Sequence, residues 1–171
     1  MSLTKVTYSM IEGSMVNVID FGAVGDGVAD DAAAIQLAEN FASANDKSVY
    51  FPLCGSTLYR KGNTDWHGEG MYLSILKHSG GAATHTLVYV DNLDADYSHI
   101  GFYSLGFNGN RSGSADPNAN RDMIFLDRNV SGGVQAPSKD IRFIGCHVFN
   151  YSFGGHGFHS KGYTGVQVKD S

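Results

Sequence analysis

The sequence contains few glutamates, and this limits how much helix it can form. Of its 17 acidic side chains only three are Glu, namely Glu12, Glu39 and Glu69, and all the others are Asp. Glu favours helices, whereas Asp, Asn and Gly supply turns and left-handed corners. The acidic residues therefore predict many turns and little helix.

Positive charge is scarce as well, and long apolar runs are absent. The 12 basic residues are outnumbered by the 17 acidic ones, which gives a formal net charge of −5. This balance argues against the broad basic face that nucleic acid binding requires. No apolar run approaches the ~20 residues that cross a bilayer, and Met1–Glu12 lacks the apolar stretch of a signal peptide. We expect no nucleic acid partner, no membrane insertion and no secretion signal.

The sequence has only two cysteines, Cys54 and Cys146. They lie far apart and in no metal-ligand spacing, so two buried free thiols are the favoured interpretation and a disulfide is the alternative. The sequence also lacks the glycine-rich motif and the lysine of a phosphate-binding loop. We therefore predict no cofactor.

Glycine, in contrast, is abundant. It makes up 22 of 171 residues, nearly twice the usual share of ~7%. With 42% hydrophobic and 17% charged residues, the chain is long enough to bury one sizeable core. Short β-rich runs, for example Val16–Asp20, Val49–Phe51 and Tyr72–Leu76, are separated by clusters of Gly, Asn, Asp and Ser. This arrangement predicts an all-β protein of short strands joined by corners.

One segment, at about residues 30–44, is predicted to be helical. Asp30 can accept hydrogen bonds from the free N–H groups at the helix start, and Asp31 adds negative charge there. Apolar residues recur at helical spacing at Ala34, Leu37, Ala38, Phe41 and Ala42. The opposite side carries Gln36, Glu39, Asn40 and Ser43. We expect the stripe of Leu37 and Phe41 to cover an apolar core, as a capping helix does.

An internal repeat aligns residues 99–109 with residues 140–150. The apolar positions coincide as follows: Ile100 with Ile141, Phe102 with Phe143, Leu105 with Cys146, and Phe107 with Val148. A third short strand is predicted after each unit, at 122–127 and 155–159, and a new unit begins near residue 164, 25 residues after Lys139. A coil of about 20 to 30 residues with three strands is typical of a parallel β-helix. A β-sandwich is the alternative.

Residues 17–36 (NVIDFGAVGDGVADDAAAIQ) resemble the opening signature of the pectate-lyase-like β-helix superfamily. Val49–Pro52 resembles the strand that follows in that superfamily, and Thr7–Gly13 resembles the lead-in of phage and prophage tailspikes. The specific resemblance covers residues 4–61. It departs at Pro52–Gly55, where the superfamily usually has a shorter Pro-Ala-Gly turn.

The resemblance implies a right-handed parallel β-helix whose first coils occupy residues 16–171, with a capping helix near its start. It implies an extended arm at residues 1–15 for virion attachment or trimer contact. The expected assembly is a homotrimer in the virion, made in the host cytoplasm. Its expected partners are a bacterial surface polysaccharide (capsule or lipopolysaccharide) and other tail or baseplate proteins. Because the last coil stops at Ser171, we expect the β-helix to be incomplete there.

Two functions follow from this resemblance. The first is a tailspike segment that carries or contributes to recognition of a host surface polysaccharide. The alternative is a polysaccharide-degrading enzyme, either a lyase or a glycoside hydrolase, of the same superfamily. Catalytic residues in this family usually come later in the chain, so we expect this segment alone not to be catalytic.

Four carboxylates near the helix start suggest a metal site. They are Asp20, Asp26, Asp30 and Asp31. Their spacing matches no calcium loop, and turn and capping duties account for each of them. The glycines Gly22, Gly25 and Gly27 are turn formers in the same way. We predict no metal site here.

The candidates for hydrolysis are aspartates at the corners of the coils. Hydrolysis of a polysaccharide needs two carboxylates on either side of a sugar. The available residues are Asp91, Asp94, Asp96, Asp122 and Asp127. Corner aspartates more often form turns, so we assign none of them a catalytic role.

The candidates for lyase chemistry form one basic cluster: His156, His159 and Lys161. A lyase needs a base beside a group that neutralises the uronate carboxylate. The favoured interpretation of the cluster is a solvated strand face, so the catalytic residues stay unassigned. Trp66, His67 and the segment Tyr97–Phe107 are predicted to be exposed aromatic surfaces that contact sugars.

Overall fold

The structure is a computed structural model of the chain. It describes residues 11–52, 58–60, 64–78, 87–91, 99–110, 124–127, 140–151, 157–161 and 166–170. Several residues singled out in the sequence lie outside this described part, namely Cys54, Asp94, Asp96, Tyr97, Asp122 and His156. Most of the N-terminal arm, residues 1–10, lies outside it too.

The described residues form one α-helix, one 3-10 helix and thirteen short strands. The helices are α1 (Ala32–Ala44) and the 3-10 helix (Val18–Phe21). The strands are β1 (Val16–Asn17), β2 (Val49–Phe51), β3 (Leu58–Arg60), β4 (Trp66–Gly68), β5 (Ile75–Lys77), β6 (Val88–Asp91), β7 (His99–Tyr103), β8 (Gly106–Asn108), β9 (Ile124–Asp127), β10 (Asp140–Ile144), β11 (His147–Phe149), β12 (Phe158–Lys161) and β13 (Val166–Lys169). Among the described residues, no helix is long and apolar enough to span a membrane.

These strands assemble into three parallel sheets. The first sheet has the order β1-β2-β4-β7-β10-β13, the second β11-β8-β5, and the third β12-β9-β6-β3. The chain therefore visits the first, second and third sheets in turn and then returns to the first, as in β7-β8-β9 and β10-β11-β12. This strand order is that of a parallel β-helix. The β-sandwich alternative is wrong, because the described strands pair in parallel and a sandwich is built from antiparallel sheets.

The observed register confirms the internal repeat. Ile100 pairs with Ile141 and Phe102 with Phe143 in the first sheet. Phe107 pairs with Val148 in the second sheet, and Phe158 pairs with Ile124 in the third. The next coil begins as predicted, with Val166 beside Ile141.

The core is a column of inward-facing side chains that stack from coil to coil. In the first sheet the column runs through aromatic residues on successive strands: Phe51, Trp66, Phe102 and Phe143. Ring centroids are 5.0 Å apart for Phe51 and Trp66, 5.5 Å for Trp66 and Phe102, and 4.7 Å for Phe102 and Phe143. Phe51, Trp66 and Phe102 have no exposed surface. Aromatic pairs at such distances add stability beyond their buried area.

Helix α1 packs against β1, β2 and β3 at the start of the solenoid, as a cap does. The Asp30 carboxylate accepts a hydrogen bond from the backbone N–H of Ala32 at 3.0 Å, as predicted. The amide of Asn45 ends the helix by donating to the carbonyl oxygen of Phe41 at 2.7 Å. Asp46 follows with φ 51°, in the left-handed region. The predicted helix and its start signal at Asp30 are confirmed.

The predicted inward stripe of α1 is right for Ala38 and Ala42, which are buried, but wrong for its two large residues. Leu37 is 57% exposed and Phe41 is 37% exposed. The buried helix residues are Ile35, Ala38, Glu39 and Ala42. They also follow the i, i+3, i+4, i+7 spacing and share Ala38 and Ala42 with the predicted set, so the helix carries two overlapping stripes of different rotation. Spacing alone could not choose between them, because the rotation is set by what the helix packs on.

Glu39, predicted to face away from the core, is instead buried within it. Its carboxylate accepts hydrogen bonds from Thr64 Oγ1 at 2.6 Å and from Trp66 Nε1 at 2.7 Å. Glu39 is 1% exposed and Trp66 is fully buried. The prediction that Trp66 forms an exposed aromatic surface is therefore also wrong. A buried carboxylate with two good donors ties the cap to β4.

Two predicted strands are shorter than expected. The run Val16–Asp20 forms β1 only as far as Asn17, because the Asn17 side chain accepts a hydrogen bond from the N–H of Ile19 at 3.0 Å and starts the 3-10 helix. The run Tyr72–Leu76 becomes extended only at Ile75. Before it, the N–H groups of Leu73 and Ser74 both donate to the Gly70 carbonyl at 2.9 Å, which closes a turn.

Three of the four clustered aspartates near α1 accept backbone hydrogen bonds, as the turn interpretation predicts. Asp31 accepts from the N–H groups of Val24 at 2.8 Å and Gly25 at 2.9 Å. Asp26 accepts from Ala29 and Val28, and these two bonds hold the pKa of Asp26 below its usual value. In the described part of the chain, no three His, Cys, Asp or Glu residues are placed to hold a metal ion.

Cys146 is a buried free thiol, as predicted. Its Sγ lies 3.3 Å from the carbonyl oxygen of Phe102. Burial raises the pKa of this thiol, so the sulfur packs as a small apolar group rather than as a reactive thiolate.

We predict that Glu39→Ala destabilises the protein by about 2–4 kcal/mol, because it removes the acceptor of the two buried hydrogen bonds from Thr64 and Trp66. Urea unfolding followed by tryptophan fluorescence would measure the loss. Glu39→Gln is the matched control, because its amide can accept from the indole and donate to the hydroxyl. The two variants should differ clearly, and equal stabilities would contradict the role given to this carboxylate.

Candidate functional site

The third sheet aligns candidate residues that are far apart in the sequence. Asp91 on β6 pairs in register with Asp127 on β9, and Asp127 pairs with Lys161 on β12. We call Asp91, Asp127 and Lys161 the charged row. Neighbouring strands lie about 4.8 Å apart, so the charged row runs along the solenoid axis across three successive coils.

A second row lies two positions earlier on the same strands. It consists of Tyr59, Tyr89, Phe125 and His159. Because residues two apart along a strand share a face, this row and the charged row lie on one face of the third sheet. Val88 and Ile124 lie on the other face and are buried. The register therefore places the positions of Asp91, Asp127, His159 and Lys161 on the face of the third sheet opposite to Val88 and Ile124.

This set of residue types suits acid–base chemistry on a charged polymer. Aspartate and histidine can accept or donate protons, and a lysine beside them can bind an anionic group. A polymer that lies along the solenoid axis would meet one strand of the row after another. Taken one at a time, these residues are interpreted from the sequence as turn formers or solvated positions. The sequence does not predict that they form a row, because the register between strands is a property of the fold.

The outer face of the first sheet carries a second polar cluster, and here the side chains are in contact. The rings of His67 and Tyr103 stack with centroids 4.7 Å apart and an angle of 10° between the planes. Tyr103 lies over Gly101, where an added Cβ would overlap the phenol ring. The N–H of Gly101 donates to the Asp65 carboxylate at 2.7 Å. Glycine at position 101 thus makes room for the tyrosine ring.

Charged groups flank this stacked pair. Arg142 donates through Nε to Asp140 Oδ1 at 3.0 Å, and a second contact joins its Nη2 to Asp140 Oδ2. Burial raises the pKa of Tyr103, and the charge of Asp65 adds to the increase, while Arg142 opposes it. Burial lowers the pKa of His67, against the opposing charge of Asp65. At neutral pH the structure therefore favours a neutral phenol and a neutral imidazole.

The predicted aromatic surface is only partly present. His67 and Tyr103 are on the outer face of the first sheet, but Trp66, Phe102 and Phe107 are fully buried.

The residues around the stacked pair that sequence reasoning missed are Asp65, Asp140 and Arg142. The alternation of inner and outer positions in the repeat places Arg142 opposite Gly101, and this signal could have found it.

Comparison with known proteins gives a family match. A family model described as rhamnogalacturonase A/epimerase, pectate lyase-like, matches residues 15–110, which is more than half of the chain. Mannuronan C5-epimerase AlgE6 of Azotobacter vinelandii is 33% identical over 113 residues, which cover 58% of this chain and 13% of that protein. Mannuronan C5-epimerase AlgE1 of the same organism is 34% identical over 108 residues, which cover 56% of this chain and 8% of that protein.

Solved structures show the same relationship. The A-module of mannuronan C-5 epimerase AlgE4 from Azotobacter vinelandii matches with a TM-score of 0.62 and 29% identity, over 75% of this chain and 37% of that one. The A-module of AlgE6 matches with a TM-score of 0.62 and 27% identity, over 89% of this chain and 40% of that one. The chain thus spans well under half the length of the relatives it matches.

We predict that His67 makes the protein less stable in mild acid. Its pKa is lower in the folded state, so the unfolded chain binds the proton more readily. The stability that His67 contributes is complete above the unfolded pKa of about 6.5 and falls as the pH drops below it. Thermal unfolding of the wild type and of His67→Phe between pH 7.5 and 5.5 would measure the effect. His67→Phe keeps a ring for Tyr103 and should lose less stability on acidification.

Proposed function

Because the chain belongs to the rhamnogalacturonase A/epimerase, pectate lyase-like family, we propose that it binds a uronate-containing bacterial surface polysaccharide and modifies it chemically. The curated relatives in the comparison are polysaccharide-modifying enzymes. The observation that carries the proposal is the charged row, which places Asp91, Asp127 and Lys161 on adjacent strands of one sheet. A groove for a polymer needs functional groups repeated along its length, and the solenoid supplies them at each coil.

The names of the relatives suggest a reaction type. Inversion at C5 of a uronate breaks the C–H bond beside the carboxylate and re-forms it on the opposite face of the sugar. Removal of that proton leaves an electron pair that spreads into the carboxylate. The step therefore needs a base, a cation near the carboxylate and a proton donor on the other side.

The residues of β12 supply the base and the cation in our proposal. Lys161 neutralises the uronate carboxylate, and His159, two positions before it on the same strand, takes the C5 proton. Asp127 pairs in register with Lys161 and adds a carboxylate on the neighbouring strand. A water molecule on the opposite face of the sugar gives a proton to C5 and completes the epimerisation, and the hydroxide that remains takes the proton held by His159. In the lyase reaction the electron pair instead forms a C4–C5 double bond, and the sugar linked at C4 leaves as an alkoxide that takes a proton from water.

A second candidate reaction is hydrolysis, and one observation favours it. Asp91 and Asp127 are neighbours in register on adjacent strands. Retaining glycosidases use two carboxyl groups about 5 Å apart, one as acid and one as nucleophile. In that case the pair would cleave the chain with water and leave no unsaturated sugar.

We further propose that the biological setting is a phage tailspike. The resemblance of Thr7–Gly13 to tailspike lead-ins supports it. In this proposal the β-helix is right-handed, in line with the hand of nearly all parallel crossover connections. The protein is a homotrimer of the virion, residues 1–15 contact the trimer or another tail protein, and the polysaccharide belongs to the host capsule or lipopolysaccharide.

We predict that Lys161→Ala and His159→Gln each lower turnover about 100-fold or more, since each removes one partner of the proton transfer. The assay uses mannuronan and purified host polysaccharide. Proton NMR quantifies epimerised units, ultraviolet absorbance detects unsaturated uronate, and size-exclusion chromatography measures chain length.

The matched control for the lysine is Lys169→Ala. Lys169 lies at the exposed end of β13 in the first sheet, on a different sheet from the charged row, and its loss should leave turnover unchanged. Shortened chains without unsaturated ends would identify hydrolysis, and the pair Asp91→Asn and Asp127→Asn would then be decisive. Full turnover in all four variants of the third sheet, leaving aside the control Lys169→Ala, would refute the proposal that this sheet carries the reaction.

The oligomer in our proposal has a separate test. Light scattering coupled to size-exclusion chromatography should give three times the mass of 18.3 kDa for the purified chain. A monomer at micromolar concentration would contradict the homotrimer. It would leave the polysaccharide chemistry untouched, because the charged row comes from one chain.

A further inference from the structure

A cleft opens on the outer face of the second sheet, away from the charged row. Its volume is about 270 Å³, and it is lined by Gly25, Asp26, Gly27, Leu73, Ile75, Lys77 and Asn108. We refer to it as the second-sheet cleft. Its floor consists of β5 and β8, and its wall is the turn between the 3-10 helix and α1.

The wall of the cleft is held in place by the residues around it. The buried carboxylate of Asp31 accepts the N–H groups of Val24 and Gly25 at 2.8 and 2.9 Å. Gly25 and Gly27 have φ of 70° and 73°, which side-chain-bearing residues rarely adopt. The cleft is therefore formed before any ligand binds, and preformed sites lose less entropy on binding.

The lining combines apolar surface with polar groups of three kinds. Leu73 is 62% exposed although it is a large aliphatic residue, and Ile75 lies beside it. Asp26 offers a carboxylate, Lys77 an ammonium group and Asn108 an amide. The carboxylate and the ammonium group balance in charge. A ligand that fits must therefore present C–H groups on one side and both donors and acceptors at its edges, and a sugar ring does so.

The surface continues from the cleft along the solenoid axis. Lys77, Asn108 and Phe149 form one row on β5, β8 and β11. In the neighbouring row, His147 contacts Phe149 with ring centroids 5.0 Å apart and Tyr72 at 5.4 Å. Tyr72 is 70% exposed. Three strands at about 4.8 Å spacing give a polar and aromatic track long enough for more than one sugar.

We propose that the second-sheet cleft is a saccharide-binding subsite that holds one sugar of a polysaccharide chain away from the charged row. Leu73 and Ile75 contact the C–H face of the sugar, and Lys77 and Asn108 hydrogen-bond its hydroxyl groups or its carboxylate. This subsite rests on the proposed function, because the sugar belongs to the polymer that the third sheet modifies. A second contact raises the affinity for long chains without a change at the reacting sugar.

The test compares variants at two leucines of similar solvent exposure in the full chain. Leu73→Ser removes apolar surface from the cleft, whereas Leu37→Ser removes it from α1, where Leu37 is 57% exposed. The probes are a mannuronate hexasaccharide and neutral mannohexaose, and isothermal titration calorimetry measures their affinity. Leu73→Ser should weaken binding of the better probe about fivefold to tenfold, and Leu37→Ser should leave it unchanged.

Lys77→Gln identifies the sugar class. A larger loss for the mannuronate probe than for mannohexaose shows that the subsite takes a uronate, and an equal loss shows that it takes hydroxyl groups. Equal affinity of wild type, Leu73→Ser and Lys77→Gln would overturn the subsite, and so would failure of both probes to bind the wild type. The proposed function is decided separately by the turnover of Lys161→Ala, since neither cleft variant changes the charged row.

Discussion

Parallel pairing in fixed register is the constraint on which the rest of this molecule depends. Each coil places its inward side chains directly beside those of the coil before it, so Trp66, Phe102 and Phe143 form a continuous buried column. A slip of one residue would turn this column outward and bring polar residues in. The burial of the inner rows therefore fixes the outer rows as well, and with them the surfaces that can meet a ligand.

The cap is the second condition for a stable solenoid, because the first coil would otherwise expose its core. Helix α1 meets this need with small and branched residues and with one buried carboxylate. The Glu39 carboxylate accepts hydrogen bonds from Thr64 and Trp66, and these bonds connect the helix to the aromatic column at β4. The cap and the column thus meet at one hydrogen-bonded site, which explains why a charged residue is tolerated there.

The three outer faces differ in chemistry because each exposes a different set of alternate positions. The third sheet carries the charged row, the first sheet carries stacked His67 and Tyr103 beside Arg142, and the second sheet carries the cleft. All three extend along the axis, which is the direction in which a polysaccharide can make repeated contacts. The solved relatives with the same fold are named as mannuronan epimerases, which act on such a polymer.

The sequence alone determined the features that depend on local order. The scarcity of Glu predicted little helix, the hydrogen-bond acceptor Asp30 placed the start of α1, and the repeat of apolar positions predicted the matching coils of residues 99–109 and 140–150. These signals are local because turns, caps and alternation act between residues close in the chain. The signature at residues 17–36 is also a local signal, because it is one continuous segment, and it indicated the superfamily.

Tertiary structure alone decided which of two apolar stripes on α1 is buried, that Glu39 and Trp66 bind each other inside the core, and that Asp91, Asp127 and Lys161 form a row. Each of these depends on partners 25 or more residues away. Spacing along one element cannot reveal them, because the rotation of a helix and the neighbours of a strand are set by the surface on which that element packs.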